Sequence, residues 1–204
     1  MKFKNILLLF IFAVNLSIAQ NNTKVTRECG SSNKDIQDLM EFEKIYLEQF
    51  NFKGESLKGK LYTINLQEFT DGKLVNTSQL FDGSGIKSDH FTVKSTKESV
   101  RFLFKLADGK LKTYIICRGG RSKKSYFELK HDPDNYVVKD FFGKKTELNI
   151  DANQETPILA IITPTKYPDG FSSYCVVVQS DVKPENLGTH FKIPHYFLVT
   201  IKFK

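Results

Sequence analysis

Two alternating runs joined by an Asp-Gly turn constrain this chain more than any other stretch. Val100, Phe102, Phe104 and Leu106 alternate with Arg101, Leu103 and Lys105. After Asp108-Gly109, Leu111, Thr113, Ile115 and Cys117 alternate with Lys112, Tyr114, Ile116 and Arg118. Successive strand side chains point to opposite faces, so this period of two buries one face and wets the other. Asp-Gly supplies the positive φ angles that a two-residue hairpin turn requires. The segment predicts an antiparallel hairpin on a half-buried sheet.

The same period recurs. Phe197, Val199, Ile201 and Phe203 alternate with Leu198, Thr200 and Lys202, which predicts a further half-buried strand. Strands are also expected over Leu61–Phe69, Lys73–Leu80, His90–Lys94, Ser125–Lys130, Tyr136–Phe142, Thr146–Ile150, Pro157–Thr163 and Ser172–Gln179. Asp71-Gly72 and Asp82-Gly83 mark two more tight turns, and the prolines fall at edges or loops. About ten short strands at hairpin spacing imply a mainly β fold. An antiparallel β-sandwich is the first expectation, and an up-and-down β-barrel of lipocalin type is the alternative.

One amphipathic helix is expected near the N-terminus of the domain, over residues 33–50. Ser32 and Asp35 resemble a capping box, and Asp35 and Asp38 put negative charge in the first turn. Ile36, Leu39, Met40, Leu47 and Phe50 mark an apolar face that Phe42 and Tyr46 widen, a pattern that predicts packing on a sheet. Residues 20–30, polar and without period, read as a loose lead-in.

Residues Met1–Ala19 read as a cleavable export signal. Lys2 and Lys4 form a basic start, Ile6–Val14 an apolar core, and Ser17 and Ala19 the small residues before a cleavage point at Gln20. The apolar core is too short to span a bilayer, which takes about 20 residues. A secreted or periplasmic domain over residues 20–204, without stable membrane insertion, is the expectation. Losing Lys2 and Lys4 lowers the formal charge from +7 to +5. That excess is spread along the chain, which argues against a nucleic-acid partner. An oxidising compartment would permit one disulfide among the three cysteines. Cys117 and Cys175, both in strand-like runs, are the candidate pair.

No residue pattern announces catalysis. Cys175 with His190 or His195 and Asp181 is the one nucleophile–base set that can be assembled, but Cys175 sits in an apolar run and no strand-to-turn elbow is present. The histidines lack metal-ligand spacing, so neither metal nor cofactor is expected. Arg118-Gly119-Gly120-Arg121-Ser122-Lys123-Lys124 is the densest charge cluster. Arg118, Arg121, Lys123 and Lys124 are therefore the anion-binding candidates, against the plainer reading of a solvated hairpin tip. Tyr62, Tyr114, Tyr126, Tyr136, Tyr167 and Tyr174 are candidates for a recognition surface. The function expected is non-catalytic binding of a protein or glycan partner outside the cytoplasm. A secreted hydrolase assembled from distant residues and a carrier of small apolar ligands are the alternatives.

Overall fold

A computed structural model describes residues 22–84, 90–166, 172–174 and 181–204. The hairpin forms as its residues demand. Strands β5 (Lys97–Ala107) and β6 (Lys110–Cys117) pair antiparallel, with Val100 opposite Cys117 and Leu106 opposite Leu111. The turn between them holds φ at 53° for Asp108 and 69° for Gly109.

This hairpin belongs to the first of two antiparallel sheets. Its other strands are β1 (Asn22–Cys29), β2 (Ile45–Lys53), β7 (Gly120–Arg121), β8 (Ser125–Glu128) and β10 (Leu148–Asp151). Their order is β10-β1-β2-β5-β6-β7, and β8 pairs with a further part of β6. The second sheet contains β3 (Tyr62–Thr70), β4 (Lys73–Asp82), β9 (Val137–Asp140), β11 (Thr156–Ile162) and β14 (His195–Phe203), in the order β4-β3-β14-β11-β9. Two short strands, β12 (Thr165–Lys166) and β13 (Ser172–Ser173), form a separate pair.

The sheets face each other across one apolar core. Phe50, Phe52, Val100, Phe102, Phe104 and Leu111 from the first sheet join Ile64, Leu66, Phe197, Val199, Ile201 and Phe203 from the second. Phe52 and Phe203 meet edge-on across the gap, with ring centroids 5.4 Å apart. Face-to-face packing of two antiparallel sheets is a sandwich-like arrangement. Among the described residues there is no closed barrel, so the lipocalin-type alternative does not hold.

Several other expectations are corrected. The helix α1 spans only Lys34–Phe42, and Asn33, not Ser32, caps it by accepting from the Ile36 N–H at 3.1 Å. Lys44 then takes a left-handed φ of 49°, and the chain turns into β2. Residues 45–53 carry a second pattern, in which Glu48, Phe50 and Phe52 alternate with Gln49, Asn51 and Lys53, and the strand period wins. The apolar face of α1 does not pack on a sheet: Ile36 is 51%, Leu39 58% and Phe42 84% exposed, while Met40 alone is buried. The supposed lead-in contains β1, seated between β10 and β2 with Thr23 and Val25 buried.

The Asp82-Gly83 pair does not close a hairpin. β4 pairs with β3, whereas the next strand, β5, pairs with β2 in the other sheet, so the chain crosses between layers here. His90–Lys94 is not a strand; Val93 is buried and its backbone bonds to Gly59 and Lys60. β14 is not half-buried. Its Tyr196 and Leu198 face a second apolar cluster with Leu187 and Ile193, on and beside the short helix α2 (Leu187–Phe191). Pro157 sits at a break in the β11–β14 register, where a strand tolerates its missing N–H.

Candidate functional site

Strand register places chemistry that sequence spacing alone conceals. On β1, β2 and β5, Lys24 stands opposite Lys53, and Lys53 opposite Lys97. Cross-strand partners share a face, so three lysines stand abreast on the exposed side of three neighbouring strands. The next row on that face is Thr26, Asn51 and Ser99, and beyond it lie Glu28, Gln49, Arg101 and Ile116, with the Asn51 amide donating to Glu28 Oε1 at 2.9 Å. Like charges directly opposite each other destabilise a sheet. Among the described residues, Lys24 is relieved by Glu147 at 2.8 Å, whereas Lys53, Lys97 and Arg101 have no acidic partner within 4 Å.

These rows line a cavity of about 660 Å³. Arg118, just beyond the end of β6, completes its set of five cations with Lys24, Lys53, Lys97 and Arg101. Hydroxyl and amide groups of Thr26, Ser99, Asn51 and Gln49 lie between them. Phe52, the aromatic residue of the lining, is buried. The arrangement is suited to an anion that also forms hydrogen bonds.

Glu98 lines the same cavity but projects to the core side of β5, between Lys97 and Ser99 on the wet side. It is only 6% exposed, and its Oε1 has no hydrogen-bond partner among the described residues. Burial pushes its carboxyl above the usual range, against the pull of the Ser99 and Arg118 backbone N–H groups, the Arg118 charge and the Tyr62 hydroxyl. Tyr62 enters from the second sheet and lies beside both Glu98 and Cys117. Burial also pushes up the Tyr62 hydroxyl and the Cys117 thiol. The Cys117 Sγ lies 3.4 Å from the Gly120 carbonyl. A thiol held protonated in this way is a poor nucleophile.

Of the four basic candidates, Arg118 lines the cavity, Arg121 lies in β7 opposite Ile116 and so on the same face as Arg101, and Lys124 stands 5.8 Å from the Tyr114 ring centroid. Lys123 receives a hydrogen bond from Ser122 Oγ through its carbonyl. Gly119 is required by packing, since a Cβ there would come within 2.3 Å of the His90 carbonyl oxygen. Cys175, the other half of the candidate disulfide and the nucleophile of the Cys–His set, lies outside the described residues, as does Tyr167. Tyr62 and Tyr136 are core residues, while Tyr126 is exposed.

Two buried polar networks had no sequence signal. Tyr136 Oη is 2.6 Å from His195 Nδ1, and His195 Nε2 is 3.2 Å from Glu68 Oε1. Burial holds His195 below the usual histidine value and pushes Tyr136 up to about 12. Tyr136 and His195 are fully buried, while Glu68 at the end of the relay is 20% exposed and lies 3.9 Å from Lys130, so the relay fastens β14 and β3 to the residue before β9 and opens to solvent at Glu68. Elsewhere Arg27 binds both oxygens of the buried Glu48, at 2.6 and 3.1 Å, and reaches Asp140 on the other sheet at 2.9 Å. Three metal-ligating side chains do not gather anywhere among the described residues. Comparison with protein-family models, with curated proteins and with solved structures finds no match to this chain.

Proposed function

We propose that this chain is an exported, non-catalytic binding domain that holds an acidic glycan on the lysine-bearing face of its first sheet. The observation that carries this reading is the row Lys24–Lys53–Lys97 across three adjacent strands, two of whose members lack acidic partners among the described residues. A repulsive row is stabilised when an anion occupies it, because charge-assisted hydrogen bonds replace like-charge contacts. A glycan is favoured over a nucleic acid because hydroxyls and amides, not exposed aromatic rings, stand between the cations. Single-stranded nucleic acid is held largely by base stacking on such rings. The export pattern of Met1–Ala19 supports an extracytoplasmic partner of this kind.

The test is equilibrium binding of the mature chain to polygalacturonate, with dextran and single-stranded DNA as comparisons. Binding to polygalacturonate, with at least about tenfold weaker binding to the other two, is expected. Equal affinity for DNA, or none for polygalacturonate, refutes the reading.

A further inference from the structure

We propose that two copies of this chain pair through the outer edge of β4, antiparallel about a two-fold axis at Thr77 or Ser78, and so join their second sheets into one. The pairing is independent of the lysine-bearing face, which belongs to the first sheet.

An end strand presents a row of unpaired N–H and C=O groups, and short length, proline or charge usually blunts it. The other ends of the two sheets, among the described residues, follow that rule: β10 and β9 span four residues each, and β7 spans two. β4 does not. It runs for ten residues and ends the second sheet, with no proline, no glycine and no charge between Lys73 and Asp82. Along it Leu74 is 52% and Val75 53% exposed.

The strand is built to meet its own reverse. Its pairing with β3 skips Val75 and Leu80, so two bulges enclose the regular segment Asn76–Gln79. Those bulges stand equally far from the Thr77–Ser78 centre, as do Lys73 and Asp82 at the two ends. A two-fold contact brings one surface patch against itself, so each group must meet its complement on the same strand. With Thr77 opposite Thr77, or Ser78 opposite Ser78, each bulge lies beside the other's counterpart. Lys73 then comes within one residue of Asp82 of the second copy, and the symmetry makes this ion pair twice. A parallel arrangement would instead set Lys73 beside Lys73, and like charges opposite each other are unfavourable. Hydrogen bonds from Ser84 hold the Asp82 carboxyl below the usual carboxylate range, so it carries its charge at neutral pH. The second copy also lies alongside Leu74 and Val75 and takes part of their apolar surface out of water.

Sedimentation equilibrium of residues 20–204 over a concentration series tests the pairing, with native circular dichroism as the fold check for each variant. The native chain should form a dimer that dissociates on dilution. Lys73→Glu, which turns two attractive end pairs into repulsive ones, should weaken the dimer about tenfold at low salt. Adding Asp82→Lys to Lys73→Glu restores opposite charges and should recover most of that loss. Thr77→Lys, which sets like charges together at the axis, should leave a monomer. A native chain that is monomeric throughout the series overturns the proposal. A dimer unmoved by both Thr77→Lys and Lys73→Glu overturns it as well, because its interface then lies elsewhere.

Discussion

Arg27 and Glu48 face the core side of the first sheet, where an unpaired charge would be expensive. Arg27 meets Glu48 through two hydrogen bonds and Asp140 of β9 through a third contact, so one guanidinium ties together the two sheets. Removing one partner of a buried pair strands the other, at a cost of about 3–5 kcal/mol. Arg27→Met should lower unfolding stability by about 3 kcal/mol in urea titrations, and Arg27→Met with Glu48→Leu should recover most of that loss. Additive losses in the double variant would contradict the pairing. His195 supplies a second residue-scale prediction. Burial holds its pKa down in the folded state, so the unfolded chain takes up its proton first as pH falls. Its stabilising contribution is full above about pH 6.5 and is lost as pH falls from there through the lower folded value. The native chain should lose stability across that window, and His195→Gln should show a flatter profile.

At the scale of elements, α1 and β2 show how one stretch of sequence can carry two periods. Ile36, Leu39 and Met40 mark a helical stripe that Leu47 and Phe50 extend into an apparent long helix, while Glu48, Phe50 and Phe52 mark a strand. The break at Lys44 decides between them, and the positive φ there has no glycine to announce it. The helical stripe therefore lies largely in solvent. Phe42→Ser should change stability by less than about 0.5 kcal/mol, as exposed substitutions do. Phe52→Ala, removing a ring packed against Phe203, should cost about 3–5 kcal/mol. Thermal or urea unfolding of both variants checks the contrast, and equal losses would show that α1 packs more tightly than described.

Over the whole molecule, what was legible in the sequence was local. The β5–β6 hairpin could be read because its turn and both strands lie in one stretch of the chain, and the mainly β class followed from repeating that reading. The layer crossing after Asp82 was hidden, because an Asp-Gly pair looks the same whether it closes a hairpin or ends a strand. Of the cavity's lining, the sequence singles out Arg118 as an anion-binding candidate and Cys117 as half of a disulfide. Lys24, Lys53 and Lys97 come from three separate segments, and only their register makes them one row. Glu98 looked like any other acid among lysines until pairing placed it on the core side of β5.

The anion-binding role of that lysine row is directly measurable. Binding of polygalacturonate to native residues 20–204 and to their Lys53→Gln, Lys97→Gln double variant should be followed between about 50 and 300 mM salt, a range over which surface charge interactions are progressively screened. Native affinity should fall steeply with salt, and the double variant should bind about tenfold more weakly at low salt with a shallower dependence. Matching affinities and salt slopes for the two proteins would contradict an anion-binding role for this face.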